Sequence, residues 1–360
     1  MTALTARATP AGRRHPVPWR PMARATWLQQ RAALITLLAV SAALALAIVA
    51  GQLAIRALYA RYVADGCVLP QSTDPNCGTV ANTFAASTNA FTALVIALHV
   101  LPVLIGVFIG APLISRELES GTFRFTWTQE IGRTRYVLTT VALLAVAVAA
   151  VTCVLGALLG WYAHPFDVVG DESRWQAGLF DTTAVTLPAW TLFALATGTL
   201  LGTLTGRIVT AMATTAATAG GFLVAAFWTL DRHLLSVGAL TARASAADGV
   251  FAGPLNVPAG SGFRPAGGWL VRGWITGPGG RELSAAMADR VQSRMYAAMT
   301  RAGKKAADPA AWVSAHHYAQ WVSYQPAGRF WYFQAIAAAA LVALAVVFAL
   351  TAVWLIRRRG

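Results

Sequence analysis

Six stretches of this chain run the length of a membrane helix without one Asp, Glu, Lys or Arg: Ala32–Ile55, Phe91–Ile114, Tyr136–Tyr162, Ala184–Thr205, Ile208–Leu230 and Phe330–Ile356. A helix crosses the hydrocarbon layer with roughly 20 apolar residues, and it satisfies its backbone polar groups internally, which lipid cannot do for it. Apolar residues make up 57% of the 360 and charged residues 12%, so charge is scarce enough for its placement to carry information. The expected fold class is all-α: a polytopic membrane protein, a bundle of six transmembrane helices with a large extracytoplasmic loop between helices five and six. The expected divisions are a basic cytoplasmic tail (1–31), helices one to five (32–230), an outer loop or cap (231–329), and helix six with a basic tail (330–360).

The formal charge of +14 would suit nucleic acid, but its distribution points to a membrane and no nucleic acid. With both ends inside, fourteen Lys or Arg fall in cytoplasmic segments, and only Arg56, Arg61 and Arg174 in the two short outer loops. That is the asymmetry expected when positive residues stay on the cytoplasmic side. The loop 231–329 is too long to obey the same rule. The first apolar stretch starts only after residue 31 and lacks a clear small-x-small cleavage site followed by a soluble mature domain, so it reads as an uncleaved helix rather than a signal peptide.

Cys67 and Cys77 both fall in the first outer loop, in "CVLPQSTDPNC". An oxidising exterior permits a disulfide there, worth on the order of 3 kcal/mol. A two-cysteine metal site is the other reading, with no further ligands nearby. Cys153 reads as a small packing residue in helix three. Pro102 and Pro188 are expected to kink helices two and four. Runs such as "IGVFIGA" and "ATGTLLGTLTG" supply the small residues through which membrane helices approach closely. In the large loop, Leu283, Met287, Val291, Met295 and Met299 recur at steps of four and predict one amphipathic helix. Phe330, Trp331 and Tyr332 suit the membrane–water interface.

Catalytic motifs are absent. The only lysines, Lys304 and Lys305, lie outside any GxxxxGK[ST] loop, so the chain has no Walker A phosphate cradle. No GxSxG elbow and no acidic metal cluster occurs. The adjacent His316 and His317 point about 100° apart on a helix, unlike the i, i+4 pair of a zinc helix, and read as surface histidines. His99 reads as a hydrogen-bonded packing residue, and Arg207 as a marker of the inner surface.

One segment breaks the apolar regime with charges of both signs and aromatics: "SRELESGTFRFTWTQEIGRTRY", residues 115–136. Glu117, Ser120 and Arg124 share a helical face, and Gly121 permits a bend. Phe123, Phe125 and Trp127 alternate with Arg124, Thr126 and Thr128. Such an element can lie across the inner interface, burying its rings and displaying its charges to a protein partner.

The run "APLISRELESGTFRFTWTQEIGRTRYVLT" resembles the segment after the second helix in permease subunits of type 2 ATP-binding-cassette (ABC) transporters, particularly actinobacterial ones. Glu117, Glu119, Gly121, Thr122, Trp127, Thr128, Gln129, Arg133 and Tyr136 carry the match, and "YQPAGRFWYFQ" and the terminal "RRR" resemble the family's last helix and tail. The resemblance implies a non-enzymatic permease in the plasma membrane, driven by a separate cytosolic ATPase that docks from below and binds the ATP and Mg²⁺. It also implies a second permease copy, surrounding lipid, no cofactor in this chain, and export as the direction. Segment 115–135 would be the coupling element, with Glu117, Glu119, Gly121, Thr122, Arg124, Trp127 and Arg133 as its site residues. Two readings of other classes stand beside it. One is a membrane enzyme using the outer histidines and acids; the other is a non-transporting scaffold or immunity protein whose outer cap binds a partner.

Overall fold

The computed structural model describes residues 19–65, 75–121, 133–169, 173–227, 235–243, 268–302 and 309–358. Among the described residues, six helices are long and apolar enough to cross a membrane. The first is α1 (Trp19–Ala64), which continues well beyond its apolar window at both ends and takes in basic residues of the N-terminal segment. The second span comprises α2 (Pro75–Ile105), a π-helical turn (Gly106–Gly110) and α3 (Pro112–Ser120). Then follow α4 (Arg133–Val169), the short α5 (Ala177–Asp181), α6 (Thr186–Thr205) and α7 (Ile208–Ala225). The last span is α10 (Phe330–Arg358).

The bundle is organised around α6, which contacts α2, the π turn, α3, α4, α7 and α10. It is buried from Thr186 to Thr203, whereas α7 buries only Ala211, Thr215 and Ala219. The central helix nevertheless carries six threonines, five of them buried. Three of the buried hydroxyls donate back to their own helix: Thr191 to the Leu187 carbonyl, Thr197 to Phe193 and Thr199 to Leu195, all at 2.8 Å, while Thr186 donates to the Phe180 carbonyl of α5 at 2.7 Å. A hydroxyl satisfied in this way adds no unpaired polar group to the core.

Glycines set how closely α6 approaches the second span. A Cβ added at Gly202 would stand 2.5 Å from the Ala111 carbonyl oxygen, and one at Gly106 would stand 2.6 Å from that of Ala194. Backbone lies against backbone here, which only residues without bulk allow. Pro102 lies inside α2, and the departure from α geometry comes four residues later, as the π turn. Pro188 differs from its expected role: α6 starts at Thr186, so the proline sits in the first turn, where no intrahelical N–H is lost and no kink is needed.

The outer loop adds what the apolar pattern could not reveal, a three-stranded antiparallel sheet. Its strands are β1 (Leu240–Arg243), β2 (Trp269–Thr276) and β3 (Ala319–Gln325), in the order β1-β3-β2. Two helices accompany it, α8 (Ala285–Ala302) and α9 (Pro309–Ala315). The buried face of α8 is Ala288, Val291 and Met295, packed on Ile275 and Val313, while Met287 is exposed. Steps of four advance about 40° per step around a helix of 3.6 residues per turn, so the expected stripe drifts off the buried face. His316 stacks on Trp312 at the surface, and His317 adopts φ 56° at the turn into β3. Cys153 faces outward rather than into the packing.

Phe330 is buried, enclosed edge-on by Trp175 and Phe180, whereas Trp331 and Tyr332 stay exposed as interfacial residues do. Next to it, Gln334 is 0% exposed and ties α10 to the segment before α6. Its Nε2 donates to the Phe180 carbonyl at 2.8 Å, and its Oε1 accepts from the Thr183 hydroxyl at 2.7 Å.

Candidate coupling site

The turn between α6 and α7 and the end of α3 meet at the end of the bundle opposite the sheet. Gly206 closes α6 in the left-handed conformation at φ 63°, with its N–H donating to the Gly202 carbonyl at 3.1 Å. Arg207 is extended (φ −128°, ψ 129°) and starts α7 without a side-chain cap of its own. The first N–H groups of α7 therefore need an acceptor from elsewhere. Glu119 provides it: its Oε2 accepts from the Ile208 N–H at 2.7 Å across 89 residues of sequence. A carboxylate at a helix N-terminus also meets the positive end of the helix dipole.

That contact depends on where α3 stops. Pro112 starts the helix, and the buried Ser115 hydroxyl returns to the Ala111 carbonyl at 2.8 Å. Ser120 bonds the Arg116 carbonyl at 2.8 Å. Gly121 then leaves the helix at φ 68°, a conformation that disfavours any residue with a Cβ, and nothing crowds it. Leu118 lies against Gly206, so α3 touches the turn on the same side as Glu119. Glu117 is half-buried and engaged in contacts of its own.

Of the sequence-derived site residues, Glu117, Glu119 and Gly121 come together at the end of α3. Thr122, Arg124 and Trp127 lie outside the described residues. Arg133 is the first residue of α4, and its side chain lies outside them too. The expected Cys67–Cys77 pairing also falls outside: Cys67 is not described, and Cys77 is described only as a backbone position in α2.

Sequence reading missed the acceptor role of Glu119, because its partner is a backbone N–H rather than a charge. It also missed a polar group at the opposite end, beside α5. There Asp181, 5% exposed, accepts from the Trp190 indole at 3.2 Å. A Gln alone in the apolar run "FWYFQAIAAAA" was the available signal for that region.

A movement of segment 115–121 cannot stay local in this arrangement. It is hydrogen-bonded to the start of one span and is continuous with another, the second span, against which α6 lies glycine-close. A family model described as "ABC-2 membrane transporter related" matches residues 22–230, more than half the chain, from α1 to the end of α7. No curated protein and no solved structure matches it.

Proposed function

Because the chain belongs to the ABC-2 membrane transporter related family, we propose that it is the permease subunit of an exporter driven by a separate cytosolic ATPase docking beneath segment 115–135. It is a multi-pass membrane protein and a transporter permease; the direction, the ATPase and the orientation are our reading. The Glu119–Ile208 hydrogen bond carries that reading, because it links the polar segment to a span that sequence places far away. In this scheme Glu117, Thr122, Arg124, Trp127 and Arg133 meet the ATPase, and Glu119 passes the displacement to α7.

ATP shifts such a bundle only through its preference for one state of the ATPase pair, and that preference must cross a physical joint. A second copy of this or a related permease completes the pathway. Both chain ends and segment 115–135 face the cytoplasm of the bacterial cell, in keeping with the fourteen basic residues on that side.

The test is a Thr128→Cys variant in intact cells together with co-purification of any Walker-motif ATPase that a neighbouring reading frame encodes. An impermeant thiol reagent should leave residue 128 unlabelled until the cells are opened, and the ATPase should co-purify with the unaltered chain. Labelling from outside would sink the assignment. Replacing Trp127 and Arg124 by Ala should reduce ATPase recovery while leaving the permease folded.

A further inference from the structure

We propose that His99 and Asp181 together bind the ammonium group of an amphiphilic amine reaching the bundle from its lipid-facing side. The site is separate from the coupling segment, and its occupancy does not depend on the transport reading. The argument begins with two orphan atoms. His99 Nδ1 is 3.0 Å from the Val95 carbonyl oxygen, which can only accept, so this nitrogen carries the proton. In the neutral ring Nε2 is then an acceptor, and it is buried without a partner among the described residues. Asp181 Oδ1 accepts a hydrogen bond from the Trp190 indole N–H, and its buried Oδ2 also has no partner among the described residues.

The two acceptors belong to one neighbourhood. A Cβ built on Gly178 would stand 3.9 Å from His99 Cε1, the atom between the ring nitrogens. Gly178 and Asp181 are three residues apart on α5, hence on adjacent positions of one helical face. Two buried acceptors flanking one short helix call for a group with several donors. A buried carboxylate in apolar surroundings also calls for positive charge. Burial moves the Asp181 pKa up to about 6, partly offset by the Trp190 hydrogen bond, so the group is still anionic at neutral pH.

An ammonium supplies three donors and a charge at once. Aromatic rings stand nearby: the Phe227 ring lies edge-on to His99 at 6.5 Å, and Trp190 presents its indole N–H edge to Asp181. His99 is only half-buried, and its neighbours Ile96, Val100 and Phe227 are exposed apolar residues. The exposed side of His99 therefore meets hydrocarbon, which selects an amine with an apolar tail.

The test uses the full chain in phosphatidylcholine nanodiscs at neutral pH, with octylamine, octyltrimethylammonium and octanol as probes and the thermal midpoint as readout. Octylamine should raise the midpoint saturably, and the other two should not, since one lacks donors and the other lacks charge. Asp181→Asn should abolish the shift. His99→Phe should weaken octylamine about tenfold, as expected for a lost hydrogen bond to a charged group. If the amine comes from lipid, adding phosphatidylethanolamine raises the midpoint alone and competes with octylamine; if it is a free amphiphile, this lipid has neither effect. An equal shift from octyltrimethylammonium, no shift from any probe, or a shift retained in Asp181→Asn would overturn the proposal. Should either variant fail to fold, the ranking of the three probes on the unaltered chain still decides it.

Discussion

The Glu119 carboxylate holds the Ile208 N–H at 2.7 Å, so the last turn of α3 caps the first turn of α7. A cap of this kind is worth roughly 0.5–1 kcal/mol at an exposed site, dipole included. Glu119→Ala should speed amide exchange at Ile208 and the next two residues, and should lower transport. Glu119→Gln keeps an acceptor oxygen and should fall between; equal exchange in all three proteins would mean that the cap carries no load.

The approach of α6 to the second span gives a steric prediction. Gly202→Val puts bulk against the Ala111 backbone, and overpacking of this sort costs roughly 1–3 kcal/mol or more. Its melting point in detergent should drop by several degrees. Gly220→Ala and Gly221→Ala meet nothing within 4 Å and should melt like the unaltered chain or slightly above it.

Asp181 should impose a pH dependence. Burial raises its folded pKa from 3.8 to about 6, so between those values the folded chain holds a proton that the unfolded chain releases. Stability from this group therefore falls as pH climbs from about 4 to about 6 and is flat above. The full span is roughly 3 kcal/mol, since each pKa unit is about 1.4 kcal/mol. Asp181→Asn should remove this slope from a melting series in amine-free detergent; an unchanged slope would place its origin elsewhere.

Gln334 joins α10 to the α5–α6 turn by two hydrogen bonds from a fully buried position. Gln334→Leu leaves the Thr183 hydroxyl and the Phe180 carbonyl each short of one partner, at a cost of roughly 1–3 kcal/mol. Proteolysis in the outer loop should accelerate, because α10 would be less firmly tied at that end.

The spans were legible in the sequence because lipid imposes a length and excludes charge, a rule every apolar window here obeys. The sheet was not. Strand β3, "AQWVSYQ", alternates weakly and follows a short helix, so its identity rests on pairing with β1 and β2 rather than on a local signal. Within the coupling site the charged positions were readable from composition. The partner of Glu119 was not, because a helix N-terminus 89 residues away becomes a partner only after the hairpin folds. Likewise, His99 was read as a satisfied packing residue, and one of its two nitrogens is. Nothing local in the sequence marked Asp181 as buried, yet α5 carries it into the interior.

The π turn at Gly106–Gly110 inserts a phase change into the second span. One extra residue per such turn rotates everything beyond it by about 100° and shifts it by about 1.5 Å relative to an unbroken α-helix. The membrane-embedded part of that rod and its polar tip are thus indexed separately, like the two scales of a vernier. A straight α-helix of the same length that seated Leu98 in the core would swing the Glu119 carboxylate a quarter-turn or more away from Ile208.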